Sequence, residues 1–298
     1  MTIIPPGAGR AALRSVTPDT ASELRAFTPA LWHGQPVPRR QWMVDELIAT
    51  GTVTMLSGDG GHGKSLLVQQ LMTAIARGKP WLGFPTRQVR VFGMFCEDAI
   101  GELQIRQADI NRHYGCEMAD LGDDMMLTSR VDQGSYLCSF GNRFDGRMQP
   151  TALWHNLVAE VKDFGAQIVV LDTARKTFGG NEINDQQVSA YCMMLRRLAI
   201  QIQGAVIFTL HPSNEGVASG SGIAGNRAWR NEVRSMMYLT MPAKNADDKP
   251  NERVLRVRKN NYAASGGKVE LKWRGGVFEE AEAAPARNWP EPEFETPF

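Results

Sequence analysis

The residues with the clearest chemical signature form the segment Gly58-Asp59-Gly60-Gly61-His62-Gly63-Lys64-Ser65. This segment fits the pattern G-x-x-x-x-G-K-[ST], which is typical of a loop that binds phosphate groups. Glycines allow positive φ angles, so the backbone N–H groups between Gly58 and Leu66 can converge on a phosphate. The ammonium group of Lys64 then contacts the β- and γ-phosphates, and the Ser65 hydroxyl binds Mg²⁺. The sequence therefore predicts a site for a nucleoside triphosphate and Mg²⁺.

The flanking residues favour this interpretation over a chance glycine turn that ends in Lys-Ser. Thr52–Ser57 is predicted to form a short buried strand, and Leu66–Ala76 has apolar residues at helical spacing. A strand, a glycine-rich turn and the N-terminus of a helix provide the geometry that phosphate binding needs.

Two acidic residues follow predicted strands. Asp172 comes directly after the apolar residues Ile168–Leu171, and we expect its carboxylate to hold Mg²⁺ through water. The alternative is an ordinary aspartate that caps a loop. Glu97 follows the strand Val89–Phe95, and its carboxylate is predicted to activate the attacking water. Asp98 competes for that role, or serves as the N-cap of the following helix.

A histidine and three arginines complete the catalytic candidates. His211 follows the strand Ala205–Leu210 and is a candidate sensor of the γ-phosphate, although a histidine at a strand end is often a satisfied surface group. One of Arg227, Arg230 and Arg234 is expected to reach the γ-phosphate of a neighbouring subunit. A solvated basic helix face is the alternative for these arginines.

Two polar loops, residues 173–185 and 212–226, follow predicted strands. In parallel sheets, ligands lie at the carboxyl ends of the strands. We therefore expect these loops, with Arg175 and Lys176 in the first, to contact the backbone phosphates of a single nucleic-acid strand without sequence preference. Solvated flexible loops without a ligand are the alternative.

The elements that position these residues are predicted from hydrophobic patterning. Residues 1–40 are rich in Pro, Gly and Arg and are predicted to form an N-terminal arm. Between residues 41 and 278, strand candidates alternate with helical patterns, and three late segments are typical of antiparallel strands. This pattern predicts an α/β domain with a mostly parallel, twisted sheet flanked by helices. Residues 279–298 are acidic and Pro-rich, and we expect a disordered tail.

The composition limits the classes of partner. The net charge of +1 over 298 residues provides no global attraction for a polyanion, so a nucleic-acid surface must be a local patch. The four cysteines and five histidines show no zinc spacing. No apolar run is long enough to cross a membrane. We expect a soluble, cytoplasmic protein without a membrane partner.

Short motifs along the chain resemble those of the RepA-type hexameric replicative helicases, which belong to the AAA_25 group of RecA/DnaB-like ATPases. The resemblance covers about residues 30–280. The matching motifs are Gly58–Ser65, Ala76–Gly83, Phe95-Cys96-Glu97-Asp98, Val170-Leu171-Asp172-Thr173, Leu195–Ala199, Leu210-His211 and Lys259-Asn260-Asn261-Tyr262.

The resemblance implies a RecA-like core, a ring of six subunits with ATP at the interfaces, and single-stranded DNA in a central channel. By position it assigns phosphate and Mg²⁺ binding to Lys64 and Ser65, water activation to Glu97, metal binding to Asp172 and γ-phosphate sensing to His211. Arg234 matches the arginine finger best. A plasmid- or phage-type replicative helicase is therefore the expected function.

Two observations leave other functions open. The family commonly has paired histidines after the fourth strand, whereas this chain reads His211-Pro212. Relatives also include recombination ATPases that bind or anneal DNA without translocating, and a regulatory ATPase with no DNA role is a third alternative. The acidic end at residues 291–298, which closes with Pro297-Phe298, resembles tips that dock on replication proteins; a solubilising tail is the alternative.

Overall fold

The computed structural model describes residues 26–141, 147–212, 227–242 and 250–281. The chain divides between Arg39 and Arg40 into two compact units. Most of the expected N-terminal arm, nearly all of loop 212–226 and nearly all of the acidic tail lie outside the described residues. In the described part of the first unit, a 3₁₀ turn spans Pro29–Trp32, and the rings of Phe27 and Trp32 lie 5.2 Å apart.

The second unit contains the helices and strands of a mixed α/β domain. The helices that we label are α1 (Lys64–Ala76), α2 (Ile100–Tyr114), α3 (Ala152–Phe164), α4 (Ala174–Thr177), α5 (Asp185–Gln201) and α6 (Arg227–Glu232). The strands are β1 (Trp42–Val44), β2 (Ile48–Ala49), β3 (Thr52–Gly58), β4 (Val91–Phe95), β5 (Met125–Ser129), β6 (Cys138–Phe140), β7 (Met148–Pro150), β8 (Ile168–Asp172), β9 (Phe178–Gly179), β10 (Ala205–Leu210), β11 (Ser235–Thr240), β12 (Glu252–Asn260), β13 (Lys268–Arg274) and β14 (Val277–Glu280). A further 3₁₀ turn spans Ala119–Leu121.

One large sheet organises this unit. Its nine strands have the order β14-β13-β12-β11-β3-β10-β8-β4-β5. The strands from β11 to β5 pair in parallel, and β12, β13 and β14 continue the sheet as an antiparallel meander. The predicted fold class, a RecA-like α/β domain with antiparallel C-terminal strands, is confirmed.

The core lies on both faces of the sheet. Along β8, Ile168 and Val170 pack in a cluster with α1 and α2, whereas Val169 and Leu171 pack in a second cluster with α3 and α5. Successive side chains of a strand point to opposite faces, so a strand that is covered on both sides is apolar throughout. This explains why the central strands show continuous apolar runs in the sequence.

Several elements were not predicted from the sequence. The edge strand β5 pairs in parallel with β4, but all its residues are half-buried, so it shows neither an alternating nor a fully apolar pattern. A separate small sheet has the strand order β7-β6-β9. Such short strands carry too few residues for a periodic signal.

The segment predicted as loop 173–185 is partly ordered into α4 and β9, and this corrects the prediction. Phe178 is buried, and its ring contacts those of Tyr191 and Trp229, with both centroid distances 5.3 Å. The Thr177 hydroxyl lies 2.7 Å from the Tyr191 hydroxyl. The apolar anchor Phe178 therefore fixes the first half of this segment against α5.

No helix in the described ranges combines the length and the apolar character that crossing a membrane requires.

Candidate active site

The phosphate loop connects the end of β3 to the start of α1, and its glycines are required by local geometry. Gly61 has φ +74° and Gly63 has φ +94°, values that other residues rarely adopt. A Cβ atom on Gly63 would lie 2.7 Å from the Phe278 ring, and one on Gly58 would lie 2.7 Å from the Leu239 carbonyl oxygen. The loop is therefore confined by neighbouring strands as well as by its own turn.

Lys64 is the first residue of α1 and its side chain folds back over the loop. Its Nζ donates hydrogen bonds to the carbonyl oxygens of Gly58, at 2.7 Å, and Asp59, at 2.9 Å. Burial lowers the pKa of Lys64, and the carboxylates of Asp172, Glu97 and Asp59 oppose this effect. Three acidic side chains therefore stabilise the charged form of the ammonium group.

His211 lies beside Lys64. Its Nδ1 is 3.3 Å from Lys64 Nζ, so a neutral imidazole with an unprotonated Nδ1 accepts a hydrogen bond from the ammonium group. Burial lowers the pKa of His211, and the positive charges of Lys64 and Arg175 lower it further. His211 is consequently held in its neutral form near pH 7.

Asp172 is the last residue of β8 and is buried. Its carboxylate accepts hydrogen bonds from the hydroxyls of Ser65 and Thr209. Burial raises the pKa of Asp172, and these two hydrogen bonds oppose the shift. The sequence had predicted Ser65 and Asp172 as partners, and the fold brings them together. Thr209 was missed, because a threonine inside an apolar strand carries no distinctive pattern.

Oxygen ligands of this kind fit Mg²⁺, which prefers a few protein oxygens and completes its shell with phosphates and water. Across the described ranges, no group of three or more His, Cys, Asp or Glu side chains is arranged to hold a metal ion. Ser65 and Asp172 are the residues that would hold Mg²⁺ together with a bound nucleotide.

Glu97 and Asp98 differ sharply in their contacts. Both Asp98 oxygens accept hydrogen bonds from Arg106, at 2.6 and 3.0 Å. The N-cap of α2 is Ala99, without a side-chain cap, so the alternative that Asp98 caps this helix is wrong. Glu97 is exposed, and no hydrogen bond or ion pair joins its side chain to any part of the chain that the structure describes. Its negative charge nevertheless acts on Lys64 and Asp172.

The strand register explains why these residues meet. Leu210 lies opposite Ser57, and Phe95 lies opposite Asp172. The carboxyl ends of β3, β10, β8 and β4 therefore reach the same edge of the sheet, where parallel α/β proteins bind ligands. The phosphate loop, His211, Asp172 and Glu97 all follow these ends.

Arg234 lies at the opposite edge of the sheet, where the parallel strands begin. Its N–H donates to the Val53 carbonyl oxygen at 3.0 Å, whereas Gly58 is paired with Leu239 at the other end of β11. Val53 and Gly58 are five residues apart along β3, which corresponds to about 16 Å in an extended strand. The Nε of Arg234 is buried, and no partner for it occurs among the described residues. The fold thus does not bring Arg234 to its own phosphate loop.

Other cations lie near Arg234; of these, only Arg230 was a candidate for a catalytic role from the sequence. Burial and nearby arginines lower the pKa of Arg258 and of Lys259. Lys259 also donates to the carbonyl oxygens of Arg230 and Asn231, at 2.8 and 3.0 Å. We define the basic edge cluster as Arg230, Arg234, Arg258 and Lys259. The signal was the run Arg256-Val257-Arg258-Lys259, which also fits an ordinary exposed strand.

Arg175 and Lys176 lie on α4, directly after the end of β8. Arg175 forms an ion pair with Glu182, with Nε 3.1 Å from Oε1, and its charge also acts on His211. Lys176 is exposed. Arg227 and Arg230 belong to the short helix α6 and are exposed.

A comparison with protein families finds a match over much of the same region of the chain. The sequence model of the AAA_25 family, described as an AAA domain, matches residues 18–217, about two thirds of the 298 residues. A search of curated proteins found no match. This family implies nucleotide binding, typically with Mg²⁺. The chain belongs to the AAA_25 family and carries a P-loop ATPase domain.

Proposed function

We propose that this ATPase is a motor on single-stranded DNA, a replicative helicase of plasmid or phage type that works as a homo-oligomeric ring. The observation that carries the proposal is the separation of the catalytic groups. Lys64, Glu97 and Asp172 lie at one edge of the sheet, and the arginine that completes such sites lies about 16 Å away along the strand. A second subunit is needed to supply that arginine.

Within one subunit, the residues suit ATP hydrolysis. The loop N–H groups and Lys64 bind the phosphates, while Ser65 and Asp172 hold Mg²⁺. Glu97 orients and deprotonates the attacking water, because its carboxylate is exposed and carries no competing ion pair in the described ranges. His211, which lies beside Lys64, contacts the γ-phosphate by donating a ring N–H, because phosphate oxygens accept hydrogen bonds. ATP bound there would supply ADP as the leaving group, and Mg²⁺ would neutralise the charge that develops on it.

Between subunits, the basic edge cluster is the natural counterpart of this site. An interface in which one edge contacts the opposite edge of the next copy is heterologous, and such interfaces close into rings when the rotation permits. Arg234 then reaches the γ-phosphate of the neighbour, because it lies at the edge that such an interface brings against the neighbour's phosphate loop. The hexameric ring itself is inferred from the resemblance to RepA-type helicases.

The DNA contact is assigned to the edge that carries the phosphate site. Lys176 is exposed on α4, which begins two residues after Asp172, so movement there is coupled directly to the metal site. Arg175 is paired with Glu182 and contributes less free charge. Contacts between such cations and DNA phosphates are independent of sequence and weaken with salt.

Stimulation of ATP hydrolysis by single-stranded DNA tests this proposal. We expect a homopolymeric oligonucleotide to raise the ATPase rate, and Lys176→Ala to reduce the stimulation while leaving the DNA-independent rate unchanged. Lys162→Ala, which removes an exposed lysine of α3, is the matched control and keeps full stimulation. An ATPase that ignores DNA would contradict the proposal and favour a regulatory role.

A further inference from the structure

A cavity of about 190 Å³ opens beside the phosphate loop. One wall is formed by the loop itself, including His62, and by Leu66 of α1. The other wall comes from the antiparallel meander, with Arg253, Trp273 and Phe278. This second wall lies beyond residue 217, where the family match ends. The residues that line it are therefore a property of this chain that the family assignment does not describe.

The second wall is tied to the loop by specific contacts. Arg253 Nε donates to the His62 carbonyl oxygen at 3.2 Å, and its Nη1 donates to the Pro250 carbonyl oxygen at 2.6 Å. The Gln70 side chain of α1 bonds both the carbonyl oxygen and the N–H of Phe278, at 2.7 and 3.1 Å. The contacts that position the phosphate loop therefore also fix the shape of the cavity.

The lining favours a flat, aromatic ligand. Phe278 is buried, whereas Trp273 is 44% exposed. The cavity is smaller than the roughly 300–1,000 Å³ of sites that enclose a drug-sized molecule, so it admits a ring system and leaves the remainder of a ligand outside. The N–H groups of the loop form the adjacent rim and attract phosphate.

We propose that this cavity holds the nucleobase of the bound nucleoside triphosphate, with the Trp273 indole as its stacking surface. The inference rests on nucleotide binding by the phosphate loop, as proposed above. A ligand whose phosphates lie on the loop extends its base outward past His62. Stacking on an indole provides affinity for the base, and the hydrogen bonds of Arg253 keep the walls in place.

Binding of Mg·ATP and of Mg·tripolyphosphate, measured by titration calorimetry, separates the base site from the phosphate site. Stacking of a base on an aromatic side chain corresponds to roughly tenfold in affinity. We expect Trp273→Ala to weaken ATP binding by about that factor and to leave tripolyphosphate binding unchanged. Trp273→Phe keeps a ring and retains most of the ATP affinity. Trp32→Ala, which removes another exposed tryptophan, is the matched control and changes neither affinity.

Two results would overturn the base site while leaving the phosphate site intact. One is a Trp273→Ala variant that binds ATP as tightly as the unmodified protein. The other is a variant that loses ATP and tripolyphosphate affinity equally, which would indicate a general disturbance of the loop. If the unmodified protein binds neither ligand, nucleotide binding by the loop fails and the proposed function fails with it.

Discussion

Nδ1 of His211 lies 3.3 Å from Nζ of Lys64, so the two side chains that face the predicted γ-phosphate position contact each other. The ammonium group also donates to two carbonyl oxygens of its own loop. A nucleotide that binds here must exchange these contacts for phosphate oxygens. The pair therefore links the phosphate loop to the end of β10.

The neutral state of His211 gives the protein a defined pH dependence. Its pKa is lowered below 6.5 in the folded state by burial and by Lys64 and Arg175, so below pH 6.5 the unfolded chain binds more protons than the folded one. The contribution of His211 to the free energy of unfolding is therefore complete above pH 6.5 and is lost as the pH falls below that value. The pKa of His62 is lowered in the same direction, whereas the raised pKa of Asp172 acts oppositely above its ordinary value of 3.8.

Urea denaturation at pH 7.5 and pH 5.5 checks this expectation. The unmodified protein should lose stability at the lower pH, and His211→Gln should lose less, because it has no imidazole to protonate. An equal loss in both proteins would show that His211 titrates in the same way in the folded and unfolded states.

Glu97 and Asp98 are adjacent carboxylates with different expected roles. Glu97→Gln should keep ATP binding and lower the turnover rate by roughly 10²- to 10⁴-fold, because the amide cannot accept the proton of water. Asp98→Asn weakens the pair with Arg106 and should lower the free energy of unfolding by about 1–3 kcal/mol. Single-turnover hydrolysis and denaturant unfolding, applied to both variants, separate the two effects. Normal hydrolysis by Glu97→Gln would refute its assignment.

Arg234 is predicted to act on the neighbouring subunit. Arg234→Ala and Lys64→Ala should each be inactive alone, and an equal mixture should regain activity at up to about a quarter of its interfaces, where both intact groups meet. Steady-state ATP hydrolysis of preassembled mixtures measures this directly. Lys64→Ala mixed with Glu97→Gln is the control, and it should regain little, because both groups belong to the same side of the interface. Equal activity of the two mixtures would contradict action in trans.

Gly63 supports the loop through its backbone conformation. Gly63→Ala places a Cβ at φ +94° and 2.7 Å from the Phe278 ring, and a non-glycine residue in a strained conformation costs about 1–3 kcal/mol. Gly101→Ala, in α2 with no atom within 4 Å of the added Cβ, should be neutral or stabilising. Thermal or urea unfolding of the two variants checks the contrast. Similar stability of both would mean that the loop and Phe278 adjust at little cost.

The sequence predicted the parts of the site that follow from local pattern. The phosphate loop needs glycines at fixed spacing, and Asp172 and His211 follow apolar strands, so their positions at the carboxyl edge were expected from the parallel sheet. The choice between Glu97 and Asp98 was not decided by pattern, because it depends on Arg106 two turns along α2. The position of Arg234 depends on the pairing of β11 with β3, which no local pattern specifies.

The missed elements have a similar physical explanation. Strand β5 is half-buried along its whole length, so it lacks a periodic signal. The anchoring of segment 173–185 depends on contacts between Phe178 and residues of α5 and α6, which are distant in sequence. The cavity beside Trp273 is formed by chain segments about 200 residues apart, joined by hydrogen bonds such as that between Arg253 and His62.

Displacement of a labelled strand from a tailed DNA duplex tests the central claim most directly. The unmodified protein with ATP and Mg²⁺ should release the strand, and Lys64→Ala should not, because the ammonium group that binds the transferring phosphate is missing; Lys79→Ala, an exposed lysine after α1, serves as the matched control. Release that depends on Lys64 would support an ATP-driven helicase. DNA-stimulated hydrolysis without any strand release would contradict it and indicate a DNA-binding ATPase that does not translocate.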